Sequence, residues 1–466
     1  MVFLLKDLLQ EVIDKRPDGV HVEARYHQRK KIEVRSDKGK LQKALVDDFA
    51  GIGIRVLVDG AWGFASTSKL DKSTVKETFN DAVAAAKNLA PSMKEKIELA
   101  PIKPITGVFK SLGKDPLENH SIEERVKLVV ETDKNVLGAD EKIKGSLIFL
   151  REYHNHRIVM NSDGSNVEVF DTKPDFYVQA IAHDAGKMMP YMAARGHCGG
   201  WELFKLSPPK KMVDTAVSLS IKLLDAPLAK GGKHTVVMDP KVVGIISHEA
   251  IGHTVESDFV MSGSAAKGTI GKKVASEHVT MVDTGEQDYA SGWLPVDDAG
   301  VKAQKTVIIE KGIMKSFLHS RFSAHHFGVE PTGSERAFEF DNEPLIRMRN
   351  TYLEPGDFKK EELFEDIKFG YYLVSPGGGQ ADSSAEFMFT MPETYEIKNG
   401  EIGGLVKNVT VSGNAFEVLQ SVDAVANDWR LEMGNGHCGK WQPAKVDGGG
   451  GSTRAVALLA GSVGGK

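Results

Sequence analysis

What most constrains this chain is a change of texture along its length. The first two hundred residues alternate amphipathic stretches of helical period with runs of period two. Beyond Gly268 the sequence breaks into short apolar runs separated by glycine or asparagine turns. Leu4, Leu5, Leu8, Leu9, Val12 and Ile13 recur at helical spacing over residues 1–14. Further helices are expected at 75–89, 117–129 and 212–224, and strands at 20–26, 31–35, 51–58, 146–153 and 157–160. Helices laid against an antiparallel sheet make this half α+β. In the second half, expected strands at 305–310, 371–374, 386–390 and 394–398 are short, and Asn399-Gly400 between two of them is a hairpin turn signal. The glycine run 447–452 reads as a mobile loop, and 455–459 as a last strand.

A chain of 466 residues exceeds one ordinary core. Pro208-Pro209-Lys210-Lys211 is the natural linker, although the 212–224 helix fits either side. The expected organisation is therefore an N-terminal α+β chamber and dimerisation domain, 1–210, and a C-terminal strand-rich domain, 211–466. The formal net charge of -5 offers no positive footprint for nucleic acid. Two distant cysteines, Cys198 and Cys438, are too few for a disulfide framework. The N-terminal stretch carries Asp7 and Glu11 and lacks the plan of a signal peptide, and no apolar run is long enough to span a membrane. A cytoplasmic protein with no membrane partner is expected.

His248-Glu249-Ala250-Ile251-Gly252-His253 carries the chemistry. Neutral imidazole is a good zinc ligand, and a carboxylate beside a ligand can take the proton of an activated water. In the familiar HExxH helix the histidines are four apart on one face. Here they are five apart, which on an ideal helix turns the second about 140° away from the first. A π-bulge or an early helix end would bring them together, and Gly252 tolerates either distortion. The expected motif helix is thus a distorted one. Catalytic zinc sites offer three protein ligands. Candidates for the third are Cys438, His437, Glu256, Asp258, His278, His325 and His326, with Glu256 and Asp258 also able to orient a ligand imidazole. Gly196-His197-Cys198-Gly199 echoes Gly436-His437-Cys438-Gly439, so Cys198 also needs placing.

The stretches GIGIRVLVDGAWGFAST (51–67), HEAIGHTVESD (248–258), GIMKSFLHSRFSA (312–324), RMRNTYLEPGD (347–357) and GHCGK (436–440) resemble the TldD/PmbA family, and specifically its TldD-like zinc metallopeptidase branch. That branch has the HExxxH spacing. The resemblance implies Zn2+ held by His248, His253 and Cys438, with Glu249 catalytic. It implies hydrolysis of unfolded or flexible peptides, including a peptide antibiotic precursor and an antitoxin, held against a sheet edge in a channel between subunits. It further implies a homodimer, or a heterodimer with a PmbA/TldE-like subunit that lacks the metal motif. The match departs in the closing stretch GHCGKWQPAKVDGGGGS, around the glycine-glutamine usual after the lysine, which bears on the substrate side of the site and not on the ligand. The alternative reading is a non-catalytic scaffold or modulator subunit of such a complex, which would have no need of the His248-Glu249-His253 triplet.

Overall fold

A computed structural model describes residues 2–461. Its first half is a 7-stranded sheet with β1 (His21–Asp37), β2 (Lys40–Val58), β3 (Ala61–Thr67), β4 (Thr106–Ser111), β5 (Ile143–Asn161), β6 (Asn166–Asp184) and β7 (Lys187–Gly196). The order is β3-β2-β1-β5-β6-β4, with β7 also on β6, and only the β4–β6 pair is parallel. The first helix, α1, runs Val2–Asp14; Met1 lies outside the described residues. It is followed by α2 (Lys72–Leu89), α3 (Ile122–Leu137) and, after a single short turn of helix at 203–206, α4 (Pro209–Asp225).

Alternation decides how this sheet is used. Even-numbered positions supply the apolar residues: Val22, Ala24 and Val34 on β1, Ile52, Ile54 and Val56 on β2, Ile148, Leu150 and Ile158 on β5. All pack beneath the helices. Odd-numbered positions on the other face are polar and still buried, including Glu23, Arg25, His27, Asn155, Arg157, Asp171 and Asp175. They meet the second half of the chain. Arg55 bridges Glu23 to Glu335, Arg25 donates to the Asn342 carbonyl at 2.7 Å, and Asn161 donates to the Ala299 carbonyl at 2.9 Å. A buried charge is tolerated only where it is paired in this way.

That polar face explains a difference from the sequence reading. The strands expected at 20–26 and 31–35 are one 17-residue strand, and 146–153 with 157–160 form one 19-residue strand. The apparent gaps were polar residues that pair across the sheet. His27 and Arg29 share the Asn155 side-chain oxygen Oδ1 at 3.3 and 2.9 Å, and the Asn155 side-chain amide donates to Asp171 at 2.8 Å. The helix expected at 117–129 instead runs Ile122–Leu137 after a 3-10 turn, because Ser121 and Glu124 form a reciprocal capping box. Pro209 is not in a linker but opens α4, at a position where the missing N–H costs nothing. Met212, Val213, Ala216 and Leu223 of α4 join the core of the first sheet, so this helix belongs to the first side.

The second half is built on a 9-stranded and a 6-stranded sheet. The first has Gly379–Ala381 at its edge, then Glu386–Thr390, Val409–Asn414, Thr453–Gly461, Gly232–Met238, Phe369–Ser375, Glu393–Lys398 and Glu401–Val406, with the short Ala424–Val425 also paired to Thr453–Gly461. Asn399 and Gly400 form the two-residue turn between the last two, both with positive φ. The glycine run is not a mobile loop. Asp447–Gly450 is a wholly buried strand of the 6-stranded sheet, parallel to Asn350–Leu353. Glycine is required there: a Cβ on Gly449 would stand 1.8 Å from the Arg430 carbonyl oxygen. The two sheets enclose a helical segment, Pro240–Ile245 continuing into Ile246–Gly252, whose Val242, Val243, Ile246 and Ile251 are core residues.

Candidate metal centre

Pro240, at the first turn, starts that segment. From Ile246 to Gly252 it winds as a π-helix, then tightens to a 3-10 turn over His253–Val255. A π-turn closes from residue i to i+5, so residues five apart lie one above the other. The expected distortion is present, and the His248 and His253 rings come to 5.5 Å, nearly perpendicular. Gly252 serves differently from expectation. Its φ and ψ of -53° and -45° are ordinary for any residue, but a Cβ there would lie 1.9 Å from the Met348 sulfur. Packing, not backbone freedom, demands glycine.

The third group arrives from far along the chain. Cys438 lies on a hairpin, His437–Lys440 paired with Gln442–Lys445, and places Sγ 3.2 Å from His253 Nε2. One ligand atom each from His248, His253 and Cys438 falls within 4.8 Å of the others. His248 is completely buried, yet neither of its ring nitrogens has a hydrogen-bond partner among the described residues. Burial opposes the charged thiolate, but the two imidazoles outweigh it and bring the Cys438 thiol down to about 5. The histidines move the other way: burial disfavours their charged forms, but Cys438 raises His248, and Glu256 with Cys438 raises His253. Two imidazoles and a thiolate, desolvated and converging, are a donor set suited to zinc.

Models of the PmbA/TldA metallopeptidase match three segments: domain 1 at residues 22–86, the central domain at 115–224 and the C-terminal domain at 231–455. The chain belongs to the TldD/PmbA metallopeptidase family. It is 36% identical to a metalloprotease of Methanocaldococcus jannaschii over 90% of this chain and 92% of that one. It is 30% identical to the zinc metalloprotease TldD homolog of Saccharolobus solfataricus, over 88% and 90%. Its fold matches the crystal structure of TldE from Thermococcus kodakarensis with a TM-score of 0.77 at 20% identity, over 98% and 99% of the two chains.

Around the cluster of this TldD/PmbA family member, the remaining sequence candidates separate. Glu256 is fully buried and its Oε2 lies 3.1 Å from His253 Nδ1, so it orients that ring and leaves Nε2 to face Cys438. Burial would raise its carboxyl, but His253 and then Lys440 hold it below the usual range. Asp258 accepts from Lys440, and burial raises its carboxyl. His437 turns away from the cluster to Arg151, 3.0 Å from Nδ1, and burial with Lys445 and Arg151 keeps it neutral. It is not among the residues that line the cleft with Glu249 and His253. His278 is exposed, its ring 6.0 Å from that of Phe358. His325 pairs with Glu98, and His326 packs on Phe327. Cys198 sits in a separate apolar pocket with Val169 and Trp293, where burial pushes its thiol up to about 12.

Two residues escaped individual notice in the sequence. Lys440 is buried, 3.0 Å from Glu256, and donates to the Ile346 carbonyl at 3.0 Å. Arg347 donates to the Cys438 carbonyl at 2.8 Å. Both stand in segments that carry the family resemblance, but nothing local marks a lysine or arginine as a brace. Glu249 is partly exposed, 3.6 Å from His253, on a cleft of about 520 Å³ lined also by Phe259, Gln380, Ser383 and Trp441.

Among the described residues no helix is long and apolar enough to cross a membrane.

Proposed function

We propose that this chain is a zinc-dependent peptidase of unfolded or flexible peptides, with His248, His253 and Cys438 as the metal ligands and Glu249 as general base. The observation that carries this reading is a fully buried imidazole, His248, whose two nitrogens meet no protein partner while a second imidazole and a thiolate converge on it. Leaving such a group unsatisfied would cost about 1–3 kcal/mol. Three ligands suit a catalytic site, whereas structural zinc sites close with four. When bound, zinc supplies Lewis acidity that polarises a carbonyl and makes water a stronger acid. Glu249, at the open side, takes a proton from the attacking water and passes it to the leaving amine. Glu256 and Lys440 hold the His253 ring in place.

The edge strand Gly379–Ala381 lines the same cleft as Glu249 and His253. Its free edge suits an extended peptide pairing through its main chain, which gives affinity without demanding one sequence. A folded protein cut as fast as its unfolded form would sink this part of the reading. The chain acts in the cytoplasm as a homodimer or with a metal-free PmbA/TldE-like subunit. Light scattering showing a monomer in the presence of such a subunit would refute the pairing.

Metal analysis joined to a peptide-cleavage assay tests the site. The wild type should bind one zinc and cut an unstructured peptide. His253→Ala and Cys438→Ala should lose zinc. A wild type that binds zinc in this site yet cuts no unstructured peptide would favour the scaffold alternative.

A further inference from the structure

Trp441 is 84% exposed, the most exposed of the large apolar side chains in the described residues. It is the single residue in the turn between His437–Lys440 and Gln442–Lys445, and its φ is +58°. A bulky residue at positive φ is strained, and glycine would sit there freely. The neighbours explain why the turn persists: Lys440 is anchored by Glu256 and Asp258, and the Gln442 carbonyl accepts from Arg347. Strain kept by a rigid surround, with a large ring left in solvent, serves no purpose in packing; such outliers gather at ligand sites.

The ring is placed over the cleft. Trp441 and Phe259 lie 6.2 Å apart, and Phe259 lies 6.4 Å from His253. The Lys440 ammonium caps the Phe259 ring at 4.3 Å. Gln380, Asp382 and Ser383, on or just after the edge strand, line the same cleft. An extended peptide advances ~3.4 Å per residue, with alternate side chains to one side. A peptide laid along that edge with its scissile bond near His253 therefore has a side chain a few residues away facing Trp441.

We infer that Trp441 and Phe259 form an apolar subsite that selects an aromatic or large aliphatic side chain of the peptide substrate, close to the bond that is cut. The inference rests on the peptidase reading and specifies its substrate class.

The test compares two unstructured peptides that differ at one position, leucine or phenylalanine against alanine, scanned along the peptide. In the Glu249→Gln protein, calorimetry should show tighter binding of the apolar peptide at one position. Trp441→Gly should reduce that preference roughly ten-fold, the discrimination that one apolar pocket contact provides. Trp441→Phe should restore most of it. Glycine fits the positive φ, so Trp441→Gly should fold. The same ratio should appear in kcat/KM of the otherwise unaltered enzyme, through KM. Equal preference in the wild type and Trp441→Gly would overturn the inference. Because binding is read without turnover, a wild type that cuts nothing would defeat the peptidase reading and leave the subsite decided on its own evidence.

Discussion

Arg125 with Glu152 in the first half, and His248 with His253 and Cys438 in the second, are polar groups sealed in apolar surroundings and built on opposite plans. Arg125 sends Nε and Nη2 to the two Glu152 oxygens at 2.9 and 2.7 Å and its remaining N–H groups to the carbonyls of Leu117, His120 and Ser121. His154 completes Glu152 at 3.0 Å. Every atom has a partner from the protein. His248 has none for either nitrogen among the described residues, although nearby Lys440 is tied to Glu256, Asp258 and the Ile346 carbonyl. Burial alone therefore does not distinguish a structural ion pair from a binding site. What sets His248 apart is that neither ring nitrogen is satisfied, whereas His27, His197 and His437 each lack a partner at one nitrogen only.

The largest expected effect tests whether Glu249 stands apart from the three donors. Glu249→Gln should cut turnover by about 10²–10⁴-fold, since glutamine cannot accept the proton, while metal content stays at the wild-type level. If Glu249→Gln lost its metal and Cys438→Ala kept it, the roles of glutamate and cysteine would be exchanged.

Breaking the satisfied pair should do the reverse. Arg125→Met leaves the Glu152 carboxylate buried and should cost about 3–5 kcal/mol of stability in denaturant unfolding, with zinc stoichiometry unaltered. A loss well under 1 kcal/mol would mean the pair contributes far less than its geometry implies.

Glu256→Gln should have a smaller effect. It keeps the shape at His253 Nδ1 but weakens the hold on the ring, and zinc affinity should fall about 10–100-fold in competition with a chelator. Unchanged affinity would reduce Glu256 to a partner of Lys440.

The mildest test is pH. In the metal-free protein the Cys438 thiolate absorbance should titrate near 5, well below a free cysteine at ~8.5. With its folded value depressed, the contribution of this group to stability is complete above the unfolded value and is lost as pH falls through about 5. Absorbance appearing only near 8.5 would show that the imidazoles do not stabilise the thiolate.

Much of this was legible locally. The α+β first half followed from helical and two-residue periods, the Asn399-Gly400 hairpin from its turn chemistry, and the distortion at Ile246–Gly252 from two histidines five residues apart. Other features were not. The gaps expected in β1 and β5 were polar residues, among them His27, Arg29, His154, Asn155 and His156, whose partners lie within the same sheet. The run at 447–450 has the composition of a flexible linker, and only the closeness of Arg430 and Thr351 turns it into a buried strand.

By itself the sequence determined where the backbone turns, which faces are apolar, and that His248, Glu249 and His253 share one unusual helical turn. These are short-range properties, set by steric and periodic preferences within a few residues. Tertiary structure decided that Cys438, rather than His437, His278 or Glu256, converges on the histidines. It also set the work of Lys440 and the exposure of Trp441. Those outcomes depend on how a hairpin 185 residues beyond His253 is packed against it. No local preference encodes such a contact, because its free energy comes from surfaces that meet only once the sheets have closed.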